Sequence, residues 1–187
     1  DVYKRQVKAP DTLEDTRSVL EHLSASHDLV LSSGGVSVGS RDFVKPAAKE
    51  CGFDELFWRV AIKPGKPLYF GKHESGTMLL GLPGNPVSSL VTFALFGAPL
   101  LQLLSGQKPK LEPTICELAD NTSHKPGRLE FARGRRDGSK VTPLEKQGSH
   151  MGTGLAGANC LIELSESQER FDRGAQVPVW ALPWSTS

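Results

Sequence analysis

The stretch from Asp28 to Pro86 constrains this chain more than any other, because three glycine-rich turns follow one another between apolar runs. They are Ser33-Gly34-Gly35-Val36-Ser37-Val38-Gly39, then Lys63-Pro64-Gly65-Lys66-Pro67, then Gly81-Leu82-Pro83-Gly84-Asn85-Pro86. Glycine lets a backbone turn sharply and lets a ligand approach main-chain N–H groups. Three such turns at strand ends in one domain point to a single anion-binding surface on a layered α/β scaffold.

The segments around the turns support that scaffold. Asp11 to Ser26 reads as a helix, with Leu13, Val19, Leu20 and Leu23 on one face and acidic residues in the first turn. Asp28 to Ser32 reads as a short strand with an apolar centre, suited to a buried parallel sheet. Phe43 to Cys51 is expected to be a second helix, ended by Gly52. Leu56–Ile62, Leu68–Phe70 and Thr77–Leu82 read as strands. Pro86 opens a long helix over Val87 to Leu104, because proline's missing N–H is harmless in a first turn. After Gly106 the composition changes. Lys108-Pro109-Lys110 and Glu112-Pro113 look like a linker, and short strand-like runs follow at Thr114–Ala119, Glu130–Arg136, Val141–Leu144, Cys160–Leu164 and Val177–Leu182. This pattern predicts a small all-β second domain. The domains are expected at residues 7–107 and 108–187.

Charge narrows the choice of partner. Lys and Arg total 22 against 21 Asp and Glu, so nothing favours nucleic acid or an anionic membrane as the main partner. The apolar run Leu90–Leu104 is interrupted by Thr92, Gly97, Pro99 and Gln102 and reads as too short and broken to span a bilayer. Cys51, Cys116 and Cys160 are scattered, without metal-ligand spacing, which fits a reducing cytoplasm and small buried side chains. Asp1–Gln6 resemble translated adaptor read-through and are set apart from the fold.

The turns also carry the candidate chemistry. The first is a strand–loop–helix turn resembling a phosphate cradle, with Ser33 and Ser37 as hydroxyl donors. It has neither Walker A nor dinucleotide-fingerprint spacing, and alone it favours a structural turn. Asp42, just before a helix, reads first as an N-cap and second as a holder of a metal ion or water. Asp11 has the same two readings. Lys63 and Lys66 are cations on a proline-restricted backbone, suited to an oxyanion such as phosphate, sulfate or molybdate, although solvated turns also carry such lysines. At Gly81–Pro86 a buried strand meets a helix N-terminus, where anions are attracted, and Asn85 can cap the helix, bond a ligand or both. Arg128 and Arg133 lie on opposite faces of a strand, so at most one need face a shared site. The default for this arginine group is a basic surface edge. Ser149-His150 is a candidate anion contact, and His22, His27, His73 and His124 form no constellation.

Taken in order, these strings resemble the MoeA family of molybdopterin molybdenumtransferases and the gephyrin E domain. The matching stretches are SGGVSVGSRDF, AIKPGKPLYFG, GLPGNPVSSLVTF, GRLEFARG and QGSHMGTGLAGANCLI. The resemblance implies a three-layer α/β domain like that of the adenylyltransferase MogA, followed by a small C-terminal β-barrel-like domain. It implies insertion of molybdate into adenylylated molybdopterin, with Mg²⁺ present and AMP released. On this resemblance Ser33, Gly34, Gly35, Ser37 and Gly39 hold nucleotide or pterin phosphates. Gly81, Pro83, Gly84, Asn85 and Pro86 form the third turn of the cleft. Lys63, Lys66, Pro67, Arg133 and Ser149 hold molybdate. Asp42 is a catalytic or metal-linked aspartate, and Asp11 a second catalytic candidate. Family members are about twice as long, act as homodimers and carry a Thr-Gly-Asp-Glu-type turn lacking here. The chain is therefore expected to be a C-terminal part with an incomplete site and an exposed sheet edge, doubtful as a catalyst alone. Other molybdenum cofactor synthesis proteins are possible partners. The rival readings are a MogA-like adenylyltransferase and a non-catalytic peptide-binding scaffold.

Overall fold

The computed structural model describes residues 4–37, 39, 42–144 and 157–185. Two compact units divide the chain. One holds residues 1–60, 65–84 and 100–108, and the other 61–64, 85–99 and 109–187.

The first unit is built on a four-stranded sheet in the order β1-β5-β4-β2. Its strands are β1 (Leu29–Ser33), β2 (Phe53–Trp58), β4 (Tyr69–His73) and β5 (Met78–Leu82). β1 and β5 are parallel, in register from Leu29↔Met78 to Ser33↔Leu82, while β4 is antiparallel to both β5 and β2. β5 is the most enclosed strand, with Leu79, Leu80, Gly81 and Leu82 all buried. β1 lies at the sheet edge and leaves Leu31 42% exposed. Helices α1 (Leu13–Ser24) and α2 (Val44–Glu50) pack together, and Leu20, Val30, Val36, Val44, Ala47, Phe53, Tyr69 and Leu79 share one core. Gly52, at φ +82°, takes the left-handed conformation that ends α2, as the sequence predicts.

Two predicted features change here. Thr12, not Asp11, caps α1: its Oγ1 accepts from Asp15 N–H at 3.1 Å, while Asp15 Oδ2 accepts the Thr12 hydroxyl. The predicted strand Leu56–Ile62 is two elements. β2 ends at Trp58, Arg59 sits at φ +71°, and a separate two-residue β3 follows at Ile62–Lys63. A left-handed non-glycine residue cannot continue a strand.

The second unit is a closed barrel. Strands β6 (Thr114–Leu118), β8 (Leu129–Asp137), β9 (Lys140–Pro143), β10 (Cys160–Leu164) and β12 (Gln176–Ala181) form the cyclic order β8-β9-β6-β12-β10, sealed by β10 against β8. β3 adds in parallel to the start of β8, with Ile62↔Leu129 and Lys63↔Glu130. The interior is filled by Cys116, Leu118, Ala132, Val141, Cys160, Ile162, Leu164, Val177 and Val179. Burial pushes the Cys160 thiol up to about 11. β7 (Thr122–Ser123) and β11 (Arg170–Phe171) form a small separate pair that the strand patterning does not reveal.

Pro86 to Leu104 is one 19-residue helix, comprising α3 (Pro86–Thr92), a π-turn (Phe93–Gly97) and α4 (Ala98–Leu104). The π-turn ends two residues before Pro99, which has no N–H for the regular ladder. With a mean hydropathy of 1.8, this helix is long and apolar enough to cross a membrane, which corrects the reading of Leu90–Leu104 as too short. Val87, Val91 and Thr92 in α3 are buried, while α4 has no buried residue.

Candidate functional site

In the sheet unit, parallel pairing sets the first and third glycine turns side by side. β1 and β5 run in the same direction, so both turns leave the carboxyl ends of adjacent strands, where open α/β sheets bind ligands. The Gly34 N–H donates to the Leu82 carbonyl at 2.9 Å. A Cβ on Gly34 would stand 3.6 Å from the Gly84 Cα, so the two backbones nearly touch. Gly34 and Gly35 have φ +91° and +73°, and a Cβ on Gly35 would meet Val44 Cγ2 at 2.7 Å. Both positions require glycine for conformation, and Gly35 for space as well.

The remaining residues of these turns divide by environment. Ser33, Ser37 and Gly39 are exposed, as are Gly84 and Pro86, whereas Pro83 is buried. Gly81 lies within β5, under the turn. A Cβ there would stand 2.4 Å from Val36 Cγ1 and 3.1 Å from Tyr69 Cβ, so its bareness makes room for packing. Trp58, which the sequence reading passed over, donates its indole N–H to the Val36 carbonyl at 2.9 Å and so holds the first loop. Lys45 Nζ and the Arg59 guanidinium lie 3.7 and 4.1 Å from the Trp58 ring.

The capping assignments need correction. α2 begins at Val44 with Phe43 as N-cap and no side-chain cap. Its first N–H, on Val44, donates instead to the Gly35 carbonyl at 3.0 Å. Asp42 closes the loop: its Oδ2 accepts from Gly39 N–H, and its own N–H donates to Gly39 O. Asp11 is exposed. Asn85 is a true cap, with Oδ1 accepting from Val87 and Ser88 N–H at 3.1 Å each. Ser89 N–H goes to the Asn85 carbonyl, and Pro86 has no N–H. The first helical turn is thus satisfied within the chain, and an anion there would have to displace the Asn85 side chain.

Asp42 is also the candidate metal residue. Among the described residues no three His, Cys, Asp or Glu side chains gather into a metal-holding group. One of its carboxylate oxygens is already occupied by Gly39. Such a donor set does not cage an ion alone, but it fits Mg²⁺ shared with phosphate oxygens, the usual arrangement for that cation.

The lysine turn is split. Lys63 belongs to the barrel unit, while Lys66 and Pro67 belong to the sheet unit. Lys66 is exposed and Pro67 half-buried. Lys63 is not the merely solvated turn lysine considered above: its Nζ donates to Glu130 Oε2 at 2.7 Å, and Glu130 is buried. His124, also buried, places Nδ1 3.3 Å from the same oxygen. Sequence reading did not single out Glu130 and set His124 aside as part of no constellation, whereas the fold brings it within 3.3 Å of that carboxylate. The available signal was a carboxylate in register with Ala132 and Gly134 on the inward face of a strand. Arg133 is 1% exposed, which overturns the surface-edge default for this residue, and burial pulls its guanidinium down from its ordinary value. Arg128 and Arg135 are exposed. Ser149 and His150 lie outside the described residues.

Comparisons with known proteins bear on both units. Residues 2–103 match the family described as "Probable molybdopterin binding domain", and residues 116–182 match "MoeA C-terminal region (domain IV)". The chain belongs to the MoeA family. A molybdopterin molybdenumtransferase of Haemophilus influenzae is 38% identical over 177 residues, covering 91% of this chain and 43% of that protein. Gephyrin of Dictyostelium discoideum is 41% identical over 112 residues, covering 52% of this chain and 16% of its own length. A crystal structure of the molybdopterin biosynthesis MoeA protein from Pyrococcus horikosii superposes with a TM-score of 0.75 at 29% identity, covering 92% of this chain and 42% of that one. The chain thus spans less than half the length of the MoeA relatives it matches end to end, and its MogA-like and barrel architecture is that of the family.

Proposed function

We propose that this chain is the molybdopterin- and molybdate-binding part of a molybdopterin molybdenumtransferase, residues 7–107 forming the molybdopterin-binding domain and 108–187 the C-terminal domain. The supporting observation is the match of residues 2–103 and 116–182, in order, to these two families, beside relatives named molybdopterin molybdenumtransferase. On this reading Ser33, Gly34, Gly35, Ser37 and Gly39, with Gly81, Pro83, Gly84, Asn85 and Pro86, receive the phosphates of adenylylated molybdopterin. Lys63, Lys66, Pro67, Arg133 and Ser149 receive molybdate, and AMP leaves after insertion. Asp42 would hold a magnesium ion shared with the phosphates, which would offset their negative charge. Asp11 is the second catalytic candidate. The complete protein would act in the cytoplasm as a homodimer.

Calorimetric titration of the 187-residue chain with molybdate and with AMP tests this reading. Saturable binding of both is expected, with molybdate affinity reduced at least tenfold by Arg133→Gln. Absence of molybdate binding, or consumption of ATP with free molybdopterin, would replace the assignment with the adenylyltransferase reading.

A further inference from the structure

We propose that Glu130 is a positioning residue for the oxyanion site: it holds the Lys63 ammonium in place. The inference rests on the reading of Lys63 as a molybdate contact.

Three observations lead to it. Glu130 occupies an inward register of β8. Its strand neighbours on that face, Ala132 and Gly134, and its cross-strand partner Leu164 meet the aliphatic barrel core. An apolar residue would pack there without the penalty of burying a charge. The carboxylate is nevertheless present, and its Oε2 accepts from Lys63 Nζ at 2.7 Å, while His124 Nδ1 stands 3.3 Å from the same oxygen without a hydrogen bond. His124 is itself fixed: Nε2–H donates to the Ser165 carbonyl at 3.0 Å, and Phe171 lies against its ring at 5.9 Å between centroids. Finally, β3 is only two residues long, and its register puts Lys63 directly beside Glu130.

The chemistry follows from the donor count. A lysine ammonium has three N–H donors. Glu130 takes one, while the Lys63 side chain stays 43% exposed, which leaves two donors for an external oxyanion. A free lysine must give up much rotamer freedom to bind an anion, whereas one already anchored at its tip gives up less.

The test is a double-mutant cycle on the 187-residue chain, reading molybdate affinity by calorimetry and folding by thermal melts. Lys63→Ala is expected to weaken molybdate binding at least tenfold, and Glu130→Gln about tenfold. In the Lys63→Ala background, Glu130→Gln should change affinity less than twofold, because its effect passes through the lysine. Should Glu130→Gln fail to fold, Glu130→Asp keeps the charge but draws it back by one methylene, and an intermediate loss is expected. Unchanged or tighter binding in the Glu130 variants, with Lys63→Ala still impaired, overturns the positioning role alone. An equal loss in both backgrounds also overturns it, since a general structural defect would act without Lys63. If Lys63→Ala binds molybdate normally, the assignment of Lys63 to the oxyanion site fails first.

Discussion

In the sheet unit the candidate site is made of backbone, whereas in the barrel unit it is made of buried charged side chains. Gly34, Gly35 and Gly84 matter because nothing projects from them: Gly34 and Gly84 bring two backbones into contact, and at Gly35 a Cβ would run into Val44. Glu130, His124 and Arg133 matter because charged or ionisable groups have been taken out of water and given fixed places. The two halves should therefore fail differently. The first should be damaged by adding atoms, and the second by removing charge.

The largest effect should come from Gly81→Ala, which drives a methyl into Val36 and Tyr69 and should destabilise the sheet unit by about 3 kcal/mol. Gly134→Ala in the barrel meets Ile162 and Val141 side-chain atoms at 2.8–3.1 Å, and side-chain tips yield more readily, so its effect should be smaller. Urea unfolding compares the two, and equal losses would erase the contrast.

Alkaline pH separates the units next. Cys160 in the barrel is held up to about 11 by burial and the nearby Cys116, against an ordinary 9.0. Tyr69 in the sheet is held up to about 12 by burial and then by Glu55 and Asp54, against 10.0. In each case the unfolded chain gives up its proton first. The stability is therefore present below the ordinary value and lost as pH rises towards the raised one. The barrel should weaken between about pH 9 and 11 and the sheet between about pH 10 and 12, each by something on the order of 2–3 kcal/mol, with Cys51, a thiol that burial also raises above 9.0, adding an earlier loss to the sheet. Cys160→Ala should abolish the loss in the barrel and Tyr69→Phe the later loss in the sheet, read by unfolding at stepped pH.

The two lysines of the central turn sharpen the comparison further. Lys63→Ala strips the buried Glu130 of a partner and should lower stability by about 1–2 kcal/mol, while exposed Lys66→Ala should change it by less than about 0.5 kcal/mol. Equal effects in thermal melts would return Lys63 to the status of a solvated turn residue. Asn85→Ala, which removes a helix cap, should cost about 1 kcal/mol, more than Lys66→Ala, with Asn85→Asp close to neutral.

Much of the architecture was legible in the residues. β10 lies where its apolar run begins and ends, and β5, α2 and the long helix fall within a few residues of their signals. The glycine turns were legible because glycine and proline act locally on φ and ψ. Caps were less so: Thr12 prevailed over Asp11, and Phe43 over Asp42, because a cap depends on where the first helical turn actually starts. The strand break at Arg59 carried no glycine or proline to announce it.

What the sequence determined by itself was the set of turns and their order, since backbone conformation at glycine and proline is a short-range property. Tertiary structure decided which of them meet. Parallel pairing of β1 with β5 placed the first turn against the third, and β3 docking on β8 gave Lys63 its buried carboxylate. Both outcomes come from residues tens of positions apart, and only a folded chain brings their charges and backbones within contact range.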